Sequence, residues 1–409
     1  MTQAVNSFND NLYRTAMLFV IAFEILPGNA AMAGTWAVVA GGLSVLPYFV
    51  FSSLAGELAE RMDKARLAQI LRAVDVGLMM FAAVAIMLSS LPLMLAAVFG
   101  TGMRAVFFGP LKYSILPQHL DERELLAGTG LMQAASFLAT VSGQVAAALL
   151  PNAATAVILV LLAIGAFLAA CAIPPAPPVH PDLPMRRNLA AGMIDLVRSA
   201  MEDRVLLGAI LGISWFYALG AGFTSQFPSL VANVVGATET VGAIFLAAFT
   251  LGLAAGAIGV SNLLKGRVSA RYVPFSAAFL SLFTFDLWLV TSGLPAPSRL
   301  VGASEFLTDG NSWRILFDLF GISLAAGAFA VPLFAVLQTV GDPERRARSV
   351  AANNLANAAA VVLVALLAGF LFAVGGSIPT FFLMLAMTTL AVATIAWRNS
   401  ARIRLNRAS

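Results

Sequence analysis

Asp10 and Arg14 stand four residues apart in "SFNDNLYRTAMLFVIAF" (7–23), a stretch that runs from polar into apolar. On a helix that spacing puts an acid and a base on one face, where they can pair and turn away from apolar surroundings. The chemistry open to them is binding and charge pairing. Nothing nearby would make it covalent. A membrane acyltransferase commonly sets a histidine five positions ahead of an aspartate, yet Glu124 follows His119 and Met185 follows His180 at that distance. No metal-ligand cluster, phosphate-binding loop or dinucleotide fingerprint appears. The chain is therefore expected not to be an enzyme and to need no cofactor. Two readings of the pair stay open on spacing alone: an ion pair inside a helix bundle, or two interfacial residues that end a helix.

Other polar residues interrupt apolar runs in the same way. Asn11 sits beside Asp10. Lys112 lies in "GPLKYSILP" (109–117), where Gly109 and Pro110 loosen the helix. A kink there would aim Lys112 into a cavity mouth; the alternative is a lysine snorkelling to the head groups. Gln133, Ser136, Thr140 and Gln144 recur at helical spacing and form one polar stripe, and Asn353 and Asn357 form another. Such stripes face protein or water rather than lipid, as interhelical contacts or as cavity lining. Trp215, Tyr217, Ser225 and Gln226 surround Gly220 and Gly222, where a helix can bend. Asp286 and Asp318 are further charges within apolar stretches, with structural or gating roles. Glu24, near Pro27, reads as a solvated helix end, and His119 and His180 as solvated loop residues.

The elements that must position these residues follow from composition. The 409 residues are 60% hydrophobic and 11% charged, with a mean hydropathy of +0.90. A soluble chain carries about 25% charge, so the solvent here is lipid. Twelve stretches are long enough to span, near 6–27, 34–59, 67–89, 92–113, 125–150, 152–173, 205–231, 237–262, 273–293, 313–338, 349–373 and 377–397. Continuous apolar runs exclude a transmembrane β-barrel, whose strands alternate. With both termini cytoplasmic, that face collects 20 of the 24 basic residues, among them Arg61, Lys64, Arg66, Arg72, Arg123, Arg186, Arg187, Arg345 and Arg407. The net charge of +4 is then a matter of topology, and no nucleic-acid partner is expected. "PPAPPVHPDLP" (174–184) and the amphipathic segment after it read as a linker on the cytoplasmic membrane surface. They divide the chain into a six-helix bundle at 1–173, a linker at 174–204 and a six-helix bundle at 205–409.

The two halves echo each other. Pro110-Leu111 corresponds to Pro332-Leu333, Gln133 to Asn357 and Lys112 to the uncharged Phe334. "GELAERMDKARL" after the second span resembles the loop motif of the major facilitator superfamily. That resemblance implies an all-α fold of twelve transmembrane helices in two halves related by pseudo-two-fold symmetry. It also implies a conformational latch of Gly56, Glu60, Arg61, Lys64 and Arg66. Glu60 departs from the usual aspartate. Within the superfamily, "FNDNLYRTA", "FFGPLKYSILPQHL", "ISWFYALGAGFTSQFPSL", "VPFSAAFLSLFTFDLWL" and "RARSVAANNLANA" resemble the lysophospholipid transporter branch, from residue 6 to about 370. Thr129, Gly130 and Gln133 depart from that branch, which commonly has an Asn-Gly or Asn-Ala pair and an acid in its fifth helix.

The resemblance implies a secondary transporter that moves lysophospholipids across the bacterial inner membrane toward the cytoplasmic leaflet for reacylation. Its substrate-binding or transport residues would be Asp10, Asn11, Arg14, Lys112, Gln133, Thr140, Gln226, Asn353 and Asn357. Membrane lipids surround it, it is expected to be a monomer, and an acyltransferase or acyl-ACP synthetase is the implied functional partner. A cavity with polar and apolar residues but few charges suits an amphiphile. That feature alone leaves an exporter of lipophilic drugs or other small solutes as the alternative.

Overall fold

The computed structural model describes residues 2–26, 30–178, 189–265, 267–295, 297, 299–339 and 346–405. Pro27, His180, Arg186, Arg187, Arg345 and Arg407 lie outside the described residues. Among the described residues fourteen α-helices follow one another: α1 (Thr2–Phe19, prolonged by a π-helical turn Val20–Ile25), α2 (Ala30–Arg61), α3 (Lys64–Met87), α4 (Leu91–His119), α5 (Glu122–Leu149), α6 (Asn152–Cys171) and α7 (Leu189–Glu202). Then come α8 (Arg204–Ser229, prolonged by a π-helical turn Leu230–Val235), α9 (Glu239–Leu264), α10 (Val273–Ser292), α11 (Ala303–Phe306), α12 (Gly310–Thr339), α13 (Arg346–Ala373) and α14 (Ile378–Leu405).

Eleven of these, α2–α6, α8–α10 and α12–α14, are long and apolar enough to cross a membrane. The first expected stretch falls on α1, which is outside that set. Its Asn6, Asn9, Asp10, Asn11 and Arg14 lower its apolar content, while Leu12, Tyr13, Met17 and Ile21 on its other face are fully buried. Those four residues join Met79, Ile86, Met94 and Leu159 in one core, and the Tyr13 hydroxyl donates to the Met94 carbonyl at 2.7 Å. α1 is thus held against the protein by its apolar face.

Local chemistry sets the helix ends. Asp63 caps α3, its carboxylate accepting from the Arg66 N–H at 2.9 Å. Proline opens α4 and α10, where the missing N–H costs nothing. The π-helical turn after α8 stops at Gly236 in the left-handed region, φ 71°. Glu24 in the first π-helical turn accepts from the Ser89 hydroxyl and the Asn152 amide, both at 2.6 Å. It thereby ties α1 to the α3–α4 turn and to the start of α6.

Two compact units emerge. One comprises Met1–Asp121, Ala135–Gly208 and Leu337–Ala358; the other comprises Glu122–Ala134, Ala209–Val336 and Ala359–Ser409. The first therefore takes in the start of α13, and the second the first half of α5. In the first unit α7 packs against α2; its Gly192, Leu196 and Ala200 are buried, and Ile194, Val197 and Met201 are exposed beside Arg198. In the second, Phe223 stacks on Phe382 at 5.3 Å and Phe245 meets Phe306 at 5.8 Å.

Candidate functional site

Three neighbouring helices of the first unit bring charge to the middle of the bundle. Arg104 sits near the midpoint of α4, and its guanidinium spans two acids. One is Asp10 on α1, bonded through both carboxylate oxygens with Nη2–Oδ2 at 2.7 Å. The other is Asp75 on α3, with Nε–Oδ1 at 2.9 Å. Arg72, one turn from Asp75, pairs with it at 3.1 Å and donates to Asn6 Oδ1 at 2.6 Å. Arg104 also donates to Asn6 Oδ1, and Asn6 donates to Asp10 Oδ2 at 3.1 Å. The Arg72 guanidinium lies 4.1 Å from the Phe108 ring centre. Two arginines and two aspartates thus neutralise one another at ion-pair distance, the pairing without which buried charges are not tolerated.

Lys112 adds the charge that unbalances this set. It follows Arg104 by two i,i+4 steps on α4 and so projects from the same face. It is within electrostatic reach of Asp10, Arg104 and Arg72, and its ammonium stands 4.8 Å from the Tyr113 ring centre. Counting Lys112, the group carries one positive charge more than its acids balance. Such a site favours an anion.

The expected Asp10–Arg14 pair does not form. Arg14 is exposed and donates to Ser44 Oγ on α2 at 2.8 Å. The forked guanidinium of Arg104 takes both oxygens of Asp10, which a single-turn partner could engage less squarely. Arg72 is also corrected. Its place near the second loop suggested a cytoplasmic basic residue, yet it is fully buried within α3. Sequence reading missed Arg72, Asp75, Arg104 and Asn6 as members of the site. The available signal was Arg72-x-x-Asp75 together with a lone Arg104, all inside apolar stretches.

A second polar group joins α1 to α5. Asn11 donates to the Ser7 carbonyl at 2.8 Å and to Thr140 Oγ1 at 3.4 Å, and Gln144 donates to Asn11 Oδ1 at 3.3 Å. Gly143 permits this approach, because a Cβ there would strike the Phe8 carbonyl oxygen. Asn11 and Thr140 are therefore brought together as candidate site residues. Gln133 belongs to the second unit and is buried. Gln226, also there, is half-buried and donates to Ser225 at 3.2 Å. Asn353 is wholly buried, and neither its amide nitrogen nor its oxygen has a hydrogen-bond partner among the described residues. Asn357 is half-buried on the same helix.

The candidate latch resolves into parts. A Cβ on Gly56 would lie 3.1 Å from both the Arg348 Cα and the Ala351 Cβ, so α2 and the start of α13 touch there. Glu60 is buried, and its Oε1 accepts the Arg348 backbone N–H at 3.0 Å. Lys64 is buried too, its N–H donating to the Ala176 carbonyl at 2.9 Å, while Asp63 accepts the Ala176 N–H at 3.0 Å. Arg61 and Arg66 are exposed. The acid of the latch thus holds a backbone amide rather than an arginine fork. In the second unit Asp286 on α10 pairs with Arg314 on α12. Among the described residues no group of three or more His, Cys, Asp or Glu is placed to hold a metal ion.

Comparison with known proteins supplies a family context. The Major Facilitator Superfamily sequence profile matches residues 1–307. The chain is similar to the lysophospholipid transporter LplT of Serratia proteamaculans, at 26% identity over 88% of this chain and 84% of the relative. Its likeness to LplT of Klebsiella pneumoniae subsp. pneumoniae is 25% over 89% and 90%. In fold it is similar to the human organic anion transporter MFSD10, with a TM-score of 0.71 at 16% identity over 96% of this chain and 99% of that one. It is likewise similar to the proton:xylose symporter XylE, with a TM-score of 0.67 at 11% identity over 97% and 94%.

Proposed function

The chain belongs to the major facilitator superfamily, and we propose that it is a secondary transporter that moves lysophospholipids across the bacterial inner membrane toward the cytoplasmic leaflet for reacylation. The observation that carries this reading is the buried cluster on α1, α3 and α4 with Lys112 beside it. A lysophospholipid has one acyl chain and one phosphate. The phosphate needs a cationic contact within the membrane, and the excess positive charge at Lys112 supplies it. Asp10, held by Arg104, keeps the rest of the cluster neutral, so an arriving anion meets one unmatched cation instead of three. Asn11, Thr140 and Gln144 add amide and hydroxyl groups on the neighbouring face of α1 for the glycerol and head group. The names of the similar proteins support the same substrate class.

Within this reading α1 is a twelfth span, both termini and the linker are cytoplasmic, and the protein acts as a monomer without covalent chemistry. An acyltransferase or acyl-ACP synthetase consumes the delivered lysolipid. Gln133, Gln226, Asn353, Asn357 and Arg14 serve the pathway as polar contacts, and Gly56 with Glu60 holds α2 against α13 in one state of the cycle. Purified protein in liposomes should speed the passage of lysophosphatidylethanolamine or lysophosphatidylglycerol, with two-chain lipids moving poorly. Movement of hydrophobic dyes without any lysolipid movement would replace this reading with the exporter.

A further inference from the structure

Lys112 is the unmatched cation on one side of the Arg104 cluster, and a second cation stands on the other side. Arg14 lies one turn beyond Asp10 on α1, well inside the stretch 6–27, and is exposed. Its Nη2 donates to Ser44 Oγ on α2 at 2.8 Å, and that hydroxyl donates in turn to the Gly41 carbonyl at 2.7 Å. That bond uses one N–H; a guanidinium has several more. A Cβ on Gly41 would stand 4.0 Å from the same Nη2, and one on Gly42 would meet nothing within 4 Å. α2 therefore leaves room beside the fork. A Cβ on Gly102 would strike the Ser44 carbonyl oxygen, which puts the Arg14–Ser44 contact in the seam of α1, α2 and α4.

The charge of Arg14 is not answered within this seam. No acid pairs with it among the described residues. Asp10 is gripped by Arg104, Asp75 is shared by Arg72 and Arg104, and Glu24 accepts from Ser89 and Asn152. α2 has no acid before Glu57, and α4 and α6 have none. An unpaired guanidinium against hydrocarbon at this depth is costly, so its open side faces water or a ligand. The ligand that suits a guanidinium fork is an oxyanion, bound by two parallel hydrogen bonds.

We propose that Arg14 is an outer docking station for the phosphodiester of a single-chain lipid, separate from the contact at Lys112. The ten residues of α4 from Gly102 to Lys112 correspond to about 15 Å of helix, and the neutral Arg104 cluster lies between the two cations. The phosphate therefore visits them in turn. With the N-terminus cytoplasmic, it meets Arg14 first. Ser44 is the resting partner that holds the fork until the phosphate takes its open edge. Direction and cargo rest on the transport reading above, whereas binding at Arg14 is measured without transport.

Purified full-length protein in detergent should bind short-chain lysophosphatidylglycerol in a calorimeter. Arg14→Leu should weaken that binding about tenfold, the loss of a charge-assisted contact. Arg14→Lys, which keeps the charge without the fork, should fall between. The uncharged monoacylglycerol of the same chain length should bind all three proteins alike. Ser44→Ala, which breaks the tie between α1 and α2 but keeps the guanidinium, should bind lysophosphatidylglycerol as wild type does. Equal lysophosphatidylglycerol binding by wild type and Arg14→Leu overturns the station. So does an equal loss in Ser44→Ala, which would make Arg14 a clamp between helices. Should Arg14→Leu not insert, Arg14→Lys and Ser44→Ala decide the matter by the same comparison. Inorganic phosphate that displaces the lysolipid at equal concentration overturns the lipid as its ligand. In liposomes, Arg14→Leu should raise the half-saturating outside concentration of lysophosphatidylglycerol by a larger factor than it lowers the maximal rate. Transport by wild type and Arg14→Leu with one half-saturating concentration would sink the station and leave the cargo reading standing. The expected binding pattern in a wild-type protein that moves no lysolipid would sink the cargo reading and leave the station.

Discussion

Asp10 and Asp75 hold the same arginine, but they do not do the same work. The Asp75 side chain is 4% exposed and serves Arg72 as well as Arg104; that of Asp10 is 29% exposed and serves Arg104 and Asn6. Removing the charge from the deeper position takes from Arg72 and Arg104 the acid they share and leaves Arg104 with Asp10 alone, at a cost of about 3–5 kcal/mol. Asp75→Asn should therefore lower the thermal midpoint in detergent clearly more than Asp10→Asn. Asp10→Asn should instead abolish most lysolipid transport at near-normal expression, and equal melting of the two variants would undo this division. Lys112 is argued the same way. Lys112→Ala should lose most transport with the protein still inserted, and Lys112→Arg should keep part of it, because a point charge rather than a fork is what the anion needs. Wild-type flux by Lys112→Ala would return it to a snorkelling lysine. At this scale the sequence was half legible. Asp10, Asn11, Thr140 and Lys112 stood out as polar residues in apolar runs. The partner of Asp10 did not, because spacing along one helix says nothing of which neighbour brings an arginine to it.

The helices themselves were the most legible level, since each expected stretch falls on one. α1 is the instructive case: its polar face hides it from any measure of apolar content, and only burial against Met94 and Leu159 accounts for it. Close approach between helices was written in glycines. A side chain at Gly143 would meet the Phe8 carbonyl, so Gly143→Val should part α1 from α5 and cost about 1–3 kcal/mol, read as a lower melting temperature together with slower transport. The motif around Glu60 was legible as an element but not in its mechanics. Charge matters less than acceptance there, because the partner is the Arg348 backbone N–H. Glu60→Gln keeps an oxygen acceptor and should transport near normally. Glu60→Ala leaves a buried N–H unpaired, at about 1–3 kcal/mol, and should transport poorly. Matching losses in both would restore the charge reading of the latch.

For the whole molecule, the charge split gives a topology that labelling can check. In a background with Cys171→Ser, a cysteine at Ala303 should react with an impermeant reagent from outside. One at Arg198, exposed on α7, should react only after permeabilisation; the reverse pattern would invert the orientation. The division of the chain was legible in order but not in space. A proline-rich linker marks the midpoint, yet the compact units exchange residues 122–134 and 337–358 across it, and no hydrophobic period encodes such an exchange. The buried cluster also bears on how the chain is made. α3 carries Arg72 and Asp75 three residues apart and so can leave the ribosome as a self-neutralised segment. α4 has no acid of its own between Leu91 and His119. Its Arg104 depends on Asp10 and Asp75, and both are synthesised before it. The order of the gene thus delivers the counter-ions to the bilayer ahead of the cation that requires them, and a circularly permuted chain that begins at α4 would have to insert Arg104 with nothing waiting to receive it.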